Sequence, residues 1–133
     1  MNYILNNKVK IFLGLLLAVI LFHICIILKI VPYDIAWGGR LTNDAEMYVF
    51  EIISILINIF LFIILLMKDD IIEYKFSDKV INVILWTFFV IFVLNTIGNI
   101  FAKTFFEKFF AILTGLFAIL IWNIIMKKKT TNR

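Results

Sequence analysis

The chain has 133 residues, of which 64% are hydrophobic, and a formal net charge of +4. Its single cysteine rules out an intramolecular disulfide and excludes the four-helix thiol oxidases, which need paired cysteines. One histidine and one cysteine do not make an ordinary zinc site, so we expect no metal and no cofactor.

Four long apolar segments follow one another, at residues 9–28, 47–67, 80–101 and 109–126. Each has about the 17–25 residues that an α-helix needs to cross a ~30 Å hydrocarbon core. Backbone polar groups in lipid have to be satisfied within the segment, so each segment is predicted to be a helix. The sequence therefore predicts an all-α, four-transmembrane-helix bundle that forms one integral membrane domain over residues 1–133.

The connections carry helix-start signals. No small-residue cleavage site follows the first segment, which is interpreted as a retained span. Asn43, Ser77 and Thr104 are predicted N-caps of the second, third and fourth helices, and Glu107 completes a capping-box pattern with Thr104. The longest connection is the loop at residues 29–46.

The basic residues indicate the orientation. With both termini inside, nine of the thirteen lie on the inner side, which agrees with the positive-inside rule. We therefore predict an N-in, C-in protein of the bacterial cytoplasmic membrane. The basic run at the end of the last span is interpreted as an anionic-lipid contact rather than a nucleic-acid patch. The inner set is Lys8, Lys10, Lys68, Lys75, Lys79, Lys127, Lys128, Lys129 and Arg133, and the outer set is Lys29, Arg40, Lys103 and Lys108.

Small residues form a stripe on each of two spans, where they would let helices approach closely in lipid. Packing within the bundle and a homodimer seam are both open interpretations. The stripes are Gly14, Ala18 and Cys25 on the first span, and Ala111, Gly115 and Ala118 on the fourth.

Polar side chains within the apolar spans are the main functional signal, because they are costly in hydrocarbon. They lie at similar depths in the outer half on three helices and predict a polar pocket open to the outside. Each has a simpler explanation: a carboxylate can reach headgroups, and histidine or asparagine can bond neighbouring helices. The set is His23 on the first span, Glu51, Ser54 and Asn58 on one face of the second, and Asn95 and Asn99 on one face of the third.

The outer loop has an unusual composition. Trp37 and Tyr33 suit a membrane interface, but that role leaves the flanking charges Asp34 and Arg40 unexplained. Gly38-Gly39 permits a tight turn with positive φ. We expect the loop to fold over the polar half, with Arg40 bridging to a carboxylate such as Glu51. Whether its side chains form a structural lid or contact a ligand stays open.

The stretch Tyr33-Asp34-x-x-Trp37-Gly38-Gly39-Arg40 resembles a segment of uncharacterised small four-span bacterial membrane proteins. That resemblance implies a four-helix membrane architecture and transfers no residue roles. Four-helix multidrug exporters are similar in size, but their essential glutamate lies in the first span, where this chain has His23 and no carboxylate.

Together these features predict a small membrane-embedded binding or accessory protein. Its expected partners are the lipid bilayer, a hydrophobic or amphipathic small molecule, a lipid headgroup, and a second copy or a partner membrane helix. One alternative is a dimeric, proton-coupled transporter. The other is an enzyme on a lipid-soluble substrate, which would need His23 and Glu51 within hydrogen-bond reach. No catalytic residue is assigned.

Overall fold

A computed structural model describes residues 6–73 and 76–127. They form four α-helices: α1 (Asn7–Ile27), α2 (Asp44–Lys68), α3 (Asp78–Ile100) and α4 (Phe105–Met126). Each is long and apolar enough to span a membrane, which confirms the all-α four-span architecture and indicates a membrane protein. Lys75, Lys128, Lys129 and Arg133, which belong to the predicted inner set, lie outside the described residues.

Side-chain caps set where the helices begin. Asn43, Ser77 and Thr104 accept hydrogen bonds from the backbone N–H of Glu46, Val80 and Glu107, as the sequence predicts. Asn6 does the same for α1, a cap that the sequence analysis did not single out. The helices begin two to four residues before the predicted spans, because the polar first turns lie outside the apolar segments.

The helices run alternately up and down. Phe12 of α1 stacks on Phe117 of α4 at 4.8 Å between ring centroids, and Lys68 of α2 donates to Asn82 of α3. We call the end where α1 begins and α4 ends the terminal end, and the opposite end, with residues 28–43, the loop end. The main core fills the terminal half of the bundle. Its fully buried members include Phe12, Leu16, Leu61, Leu65, Ile81, Leu85 and Ile121.

The two small-residue stripes have different roles. On α4, Ala111 and Ala118 are buried, and the Thr96 side chain of α3 lies 3.6 Å from the position of a β-carbon on Gly115. This stripe therefore packs within the bundle. On α1, Gly14 and Ala18 are exposed, and a β-carbon on Gly14 would meet no atom within 4 Å. The interpretation that the α1 stripe packs closely inside the bundle was therefore wrong.

The loop end has a small core of its own. Ile26, Leu41 and Met47 are buried there, with Tyr33 and Ala36 packed against them. Lys29 donates to Asp44 across the base of the loop, and this hydrogen bond and the charge of Asp44 raise the pKa of Lys29. The loop is thus folded onto the ends of α1 and α2, where the polar residues of those helices lie.

Candidate functional site: a buried carboxylate under a tryptophan

The carboxylate of Glu51 is the centre of the loop-end half. The side chain is 0% exposed, although Glu51 lies inside an apolar span. Nδ1 of His23, on α1, and Oε2 of Glu51 share a hydrogen bond, in which the imidazole is the donor when the carboxylate is ionised, and the two form an ion pair when the imidazole is protonated. The predicted meeting of these two residues is therefore present in the structure. Headgroup contact does not explain Glu51, because it points into the protein.

Trp37 closes the site from the loop. Its indole Nε1–H donates to Oε1 of Glu51 at 2.7 Å, so each carboxylate oxygen has its own donor. The indole ring also lies 5.1 Å from the ring of Phe50, between centroids. One residue of the loop therefore both satisfies the carboxylate and covers it with an aromatic surface.

The backbone at Trp37 is unusual. Its φ is +57°, a left-handed conformation that is uncommon for a bulky residue and costs about 1–3 kcal/mol. Gly39 follows with φ +68°, so the Gly-Gly pair does supply a positive φ. Two short 3₁₀ turns, Tyr33–Ile35 and Trp37–Gly39, shape the loop around these positions. The contacts of the indole with α2 hold the strained residue in place.

Helix geometry brings the pair together. Met47, Glu51 and Ser54 recur every three to four residues along α2 and share its buried face. Because α1 runs antiparallel to α2, the last turns of α1 lie opposite the first turns of α2, which places His23 beside Glu51. The Asn43 cap fixes where α2 begins.

The other polar residues of α2 are satisfied by their own helix. The Ser54 hydroxyl donates to the carbonyl of Phe50 at 2.8 Å, and the Asn58 amide donates to the carbonyl of Ser54 at 2.7 Å. They share the inward face with Glu51, as predicted, but do not bond to it. Among the described residues, every fully buried side-chain nitrogen or oxygen has a hydrogen-bond partner. The site is therefore closed and internally satisfied.

Several predicted members lie away from the carboxylate. Asn95 is exposed and Asn99 is half-buried, and neither side chain hydrogen-bonds to Glu51 or His23 within the described part of the chain. The predicted convergence of Asn95 with the pair was wrong, because α3 makes its closest contacts with α4 and turns Asn95 outward.

The predicted site residues of the loop lie in different environments. Arg40 and Asp34 are exposed, and the described residues include no ion pair between Arg40 and Glu51. The expected Arg40 bridge was wrong, since Trp37 occupies the position over the carboxylate. Tyr33 packs into the small core with Ile26 and Met47.

An aromatic cluster also lies beside His23, a feature that the sequence analysis missed. The ring of Phe22 lies 6.0 Å from the imidazole of His23 and contacts the rings of Phe106 and Phe110 on α4. The signal that could have revealed it is the adjacency of Phe22 and His23. Glu107, a second buried carboxylate, was predicted only as a cap residue, and it does bond to Thr104.

An open groove of about 420 Å³ lies elsewhere, between α3 and α4, and its lining includes Phe89, Val93, Gly115 and Trp122. Its surface is apolar. Within the described ranges, no group of three or more His, Cys, Asp or Glu side chains is placed to hold a metal ion. The groove is therefore separate from the polar site at Glu51.

Comparison of the chain with protein-family models, with curated proteins and with solved structures finds no significant match.

Proposed function

We propose that this chain is a membrane-embedded binding protein of the bacterial cytoplasmic membrane, and that its ligand reaches Glu51 when Trp37 moves aside. The observation that carries the proposal is the fully buried Glu51 carboxylate, held by His23 of α1 and by a loop tryptophan with a strained backbone. The ligand is a small molecule or a lipid headgroup.

The energetics of a buried ion pair favour a functional role for Glu51 over a structural one. Replacing a buried ion pair by apolar residues of similar volume is often neutral or stabilising, by up to about 1–4 kcal/mol. An ionisable residue within an apolar span is therefore poor evidence for stabilisation and good evidence for a site. The left-handed Trp37 adds to this, because strain of that kind concentrates at ligand clamps and lids.

The alternatives have weaker support. Transport needs a polar route through the terminal half, where Phe12, Leu16, Leu61 and Ile121 are fully buried in an apolar core. Catalysis gains one observation, the hydrogen bond between His23 and Glu51 that an acid–base pair requires. A homodimer through the exposed face at Gly14 stays a prediction, as does the N-in, C-in orientation.

The test uses an apolar version of the pair, His23→Leu with Glu51→Met. We expect this double variant to fold with at least the stability of the parent, measured by unfolding in detergent, because a buried pair contributes little net stability. In chains that carry Trp86→Phe and Trp122→Phe, so that Trp37 is the only tryptophan, we also expect it to lose every saturable change in fluorescence that a panel of amines, alcohols, carboxylates and headgroup analogues produces in the parent.

The matched control is Glu107→Gln, which neutralises the other buried carboxylate away from the pair. It should keep the response of the parent. Two results would overturn the proposal: no compound in the panel perturbs Trp37 of the parent, or the double variant responds as the parent does.

A further inference from the structure

The chemistry around Glu51 restricts the ligand class. A carboxylate accepts hydrogen bonds and donates none when ionised, and its two oxygens offer about four acceptor sites. In the closed structure Glu51 has two side-chain donors, one on each oxygen: the imidazole of His23 and the indole of Trp37. A ligand that reaches this carboxylate replaces the indole, since Trp37 belongs to the loop and its side chain is partly exposed, while His23 lies within α1.

The exchange of donors discriminates between ligand charges. A neutral donor that replaces the indole exchanges one hydrogen bond for another and gains little. With a neutral imidazole on His23, the pair carries one net negative charge, and an anion would bring a second one next to the buried carboxylate, where the low dielectric strengthens the repulsion. An ammonium group adds a full opposite charge and up to three donors, and bonds between charged groups are the strong ones. A cation is therefore the ligand whose binding free energy compensates for the lost hydrogen bond between Trp37 and Glu51.

The walls of the site suit the rest of such a ligand. Trp37 and Phe50 present rings on the α2 side, and Phe22 presents one next to His23. Aromatic faces attract cations and also pack against apolar groups. The surroundings thus fit an ammonium group attached to an apolar or aromatic body.

We infer that the Glu51 site takes an organic ammonium ion, which donates its N–H groups to Glu51 in the place of the Trp37 indole. This inference rests on the proposed binding function. It adds the charge and donor chemistry of the ligand, and it requires Trp37 to leave the carboxylate whenever the ligand binds.

The experiment uses the full chain in lipid nanodiscs with Trp86→Phe and Trp122→Phe, so that Trp37 is the only tryptophan. Three probes of similar shape are titrated: phenethylammonium, the neutral phenethyl alcohol and the anionic 3-phenylpropanoate. We expect a saturable change in Trp37 emission with the ammonium probe, at a Kd at least tenfold lower than that for the alcohol. The anion should give no saturable change.

Three variants separate a charge contact from a structural effect. Glu51→Gln should weaken ammonium binding at least tenfold, and Glu107→Gln, the matched control, should leave it unchanged. Trp37→Phe, followed by calorimetry in the otherwise native chain, should bind the ammonium probe more tightly, because the competing indole donor is absent. The expected increase in affinity of the Trp37→Phe variant keeps the inference testable if Glu51→Gln does not fold.

The outcomes distinguish the two proposals. If the alcohol or the carboxylate displaces Trp37 and the ammonium probe does not, the cation inference fails and the binding function stands. Ammonium binding that is equal in the Glu51→Gln variant also overturns the inference. If none of the probes moves Trp37 and none of the compounds in the wider panel does so, both proposals fail.

Discussion

Replacing Trp37 with phenylalanine removes one hydrogen-bond donor and keeps an aromatic ring near Phe50. The indole Nε1–H lies 2.7 Å from Oε1 of Glu51, which is fully buried. Side-chain hydrogen bonds between membrane helices average about 0.6 kcal/mol, whereas a bond to a charged group contributes about 1.5–3 kcal/mol. Because the acceptor is a carboxylate without access to water, the larger figure applies. We expect Trp37→Phe to lower the free energy of unfolding by about 2 kcal/mol.

A double-mutant cycle with Glu51→Met isolates this bond from other effects of the smaller ring. Methionine is similar in length and offers no carboxylate, so Trp37→Phe should cost about 0.5 kcal/mol or less in that background. The loss of the His23 partner is common to both members of that pair and cancels. Unfolding by SDS in mixed micelles, followed by circular dichroism, gives the four free energies. A coupling energy below about 0.5 kcal/mol would refute the indole–carboxylate contact.

Three further predictions concern packing, backbone conformation and orientation. Gly115→Leu should lower the free energy of unfolding by about 1–3 kcal/mol, because Thr96 lies next to Gly115. Gly14→Leu is the matched control, and equal melting temperatures of the two variants in detergent would contradict the packing of α3 against Gly115. Gly39→Ala should destabilise by about 1–2 kcal/mol, because its φ of +68° is left-handed. Gly98→Ala, in α3, is the matched control and should raise the free energy of unfolding by about 0.5–1 kcal/mol. If Gly39→Ala and Gly98→Ala change the free energy of unfolding in the same direction, the left-handed conformation of Gly39 is contradicted. A reporter fused after Arg133 should be cytoplasmic; external accessibility would invert the predicted orientation.

His23 and Glu51 show which features of the site could be predicted from the sequence. Both residues lie in the loop-end half of neighbouring spans, so their depth was predictable from a rise of about 1.5 Å per residue. Their facing was decided by rotation of the helices about their axes. The exposed Gly14 and the buried Phe12 show which side of α1 packs inward, and His23 lies on that side.

Trp37 and Arg40 show where sequence reasoning failed. Charge complementarity favoured Arg40 as the partner of Glu51, and Trp37 was expected at the membrane interface, in a structural lid or in contact with a ligand. The folded loop reverses this, because positive φ at Trp37 and Gly39 turns the indole toward α2 and leaves Arg40 exposed. Loop backbone conformation of this kind has no periodic signal in a sequence.

The sequence by itself determined the helical architecture, the spans to within a few residues and three of the four N-caps. These follow from local physics: hydrocarbon demands internally bonded helices of a certain length, and capping depends on residues three positions apart. Only the tertiary structure decided that Glu51 meets His23 and Trp37, that Asn95 faces outward and that one small-residue stripe packs while the other is exposed. Those outcomes depend on how helices rotate and pair. In a span that is apolar on every side, the side chains give little preference for one rotation over another.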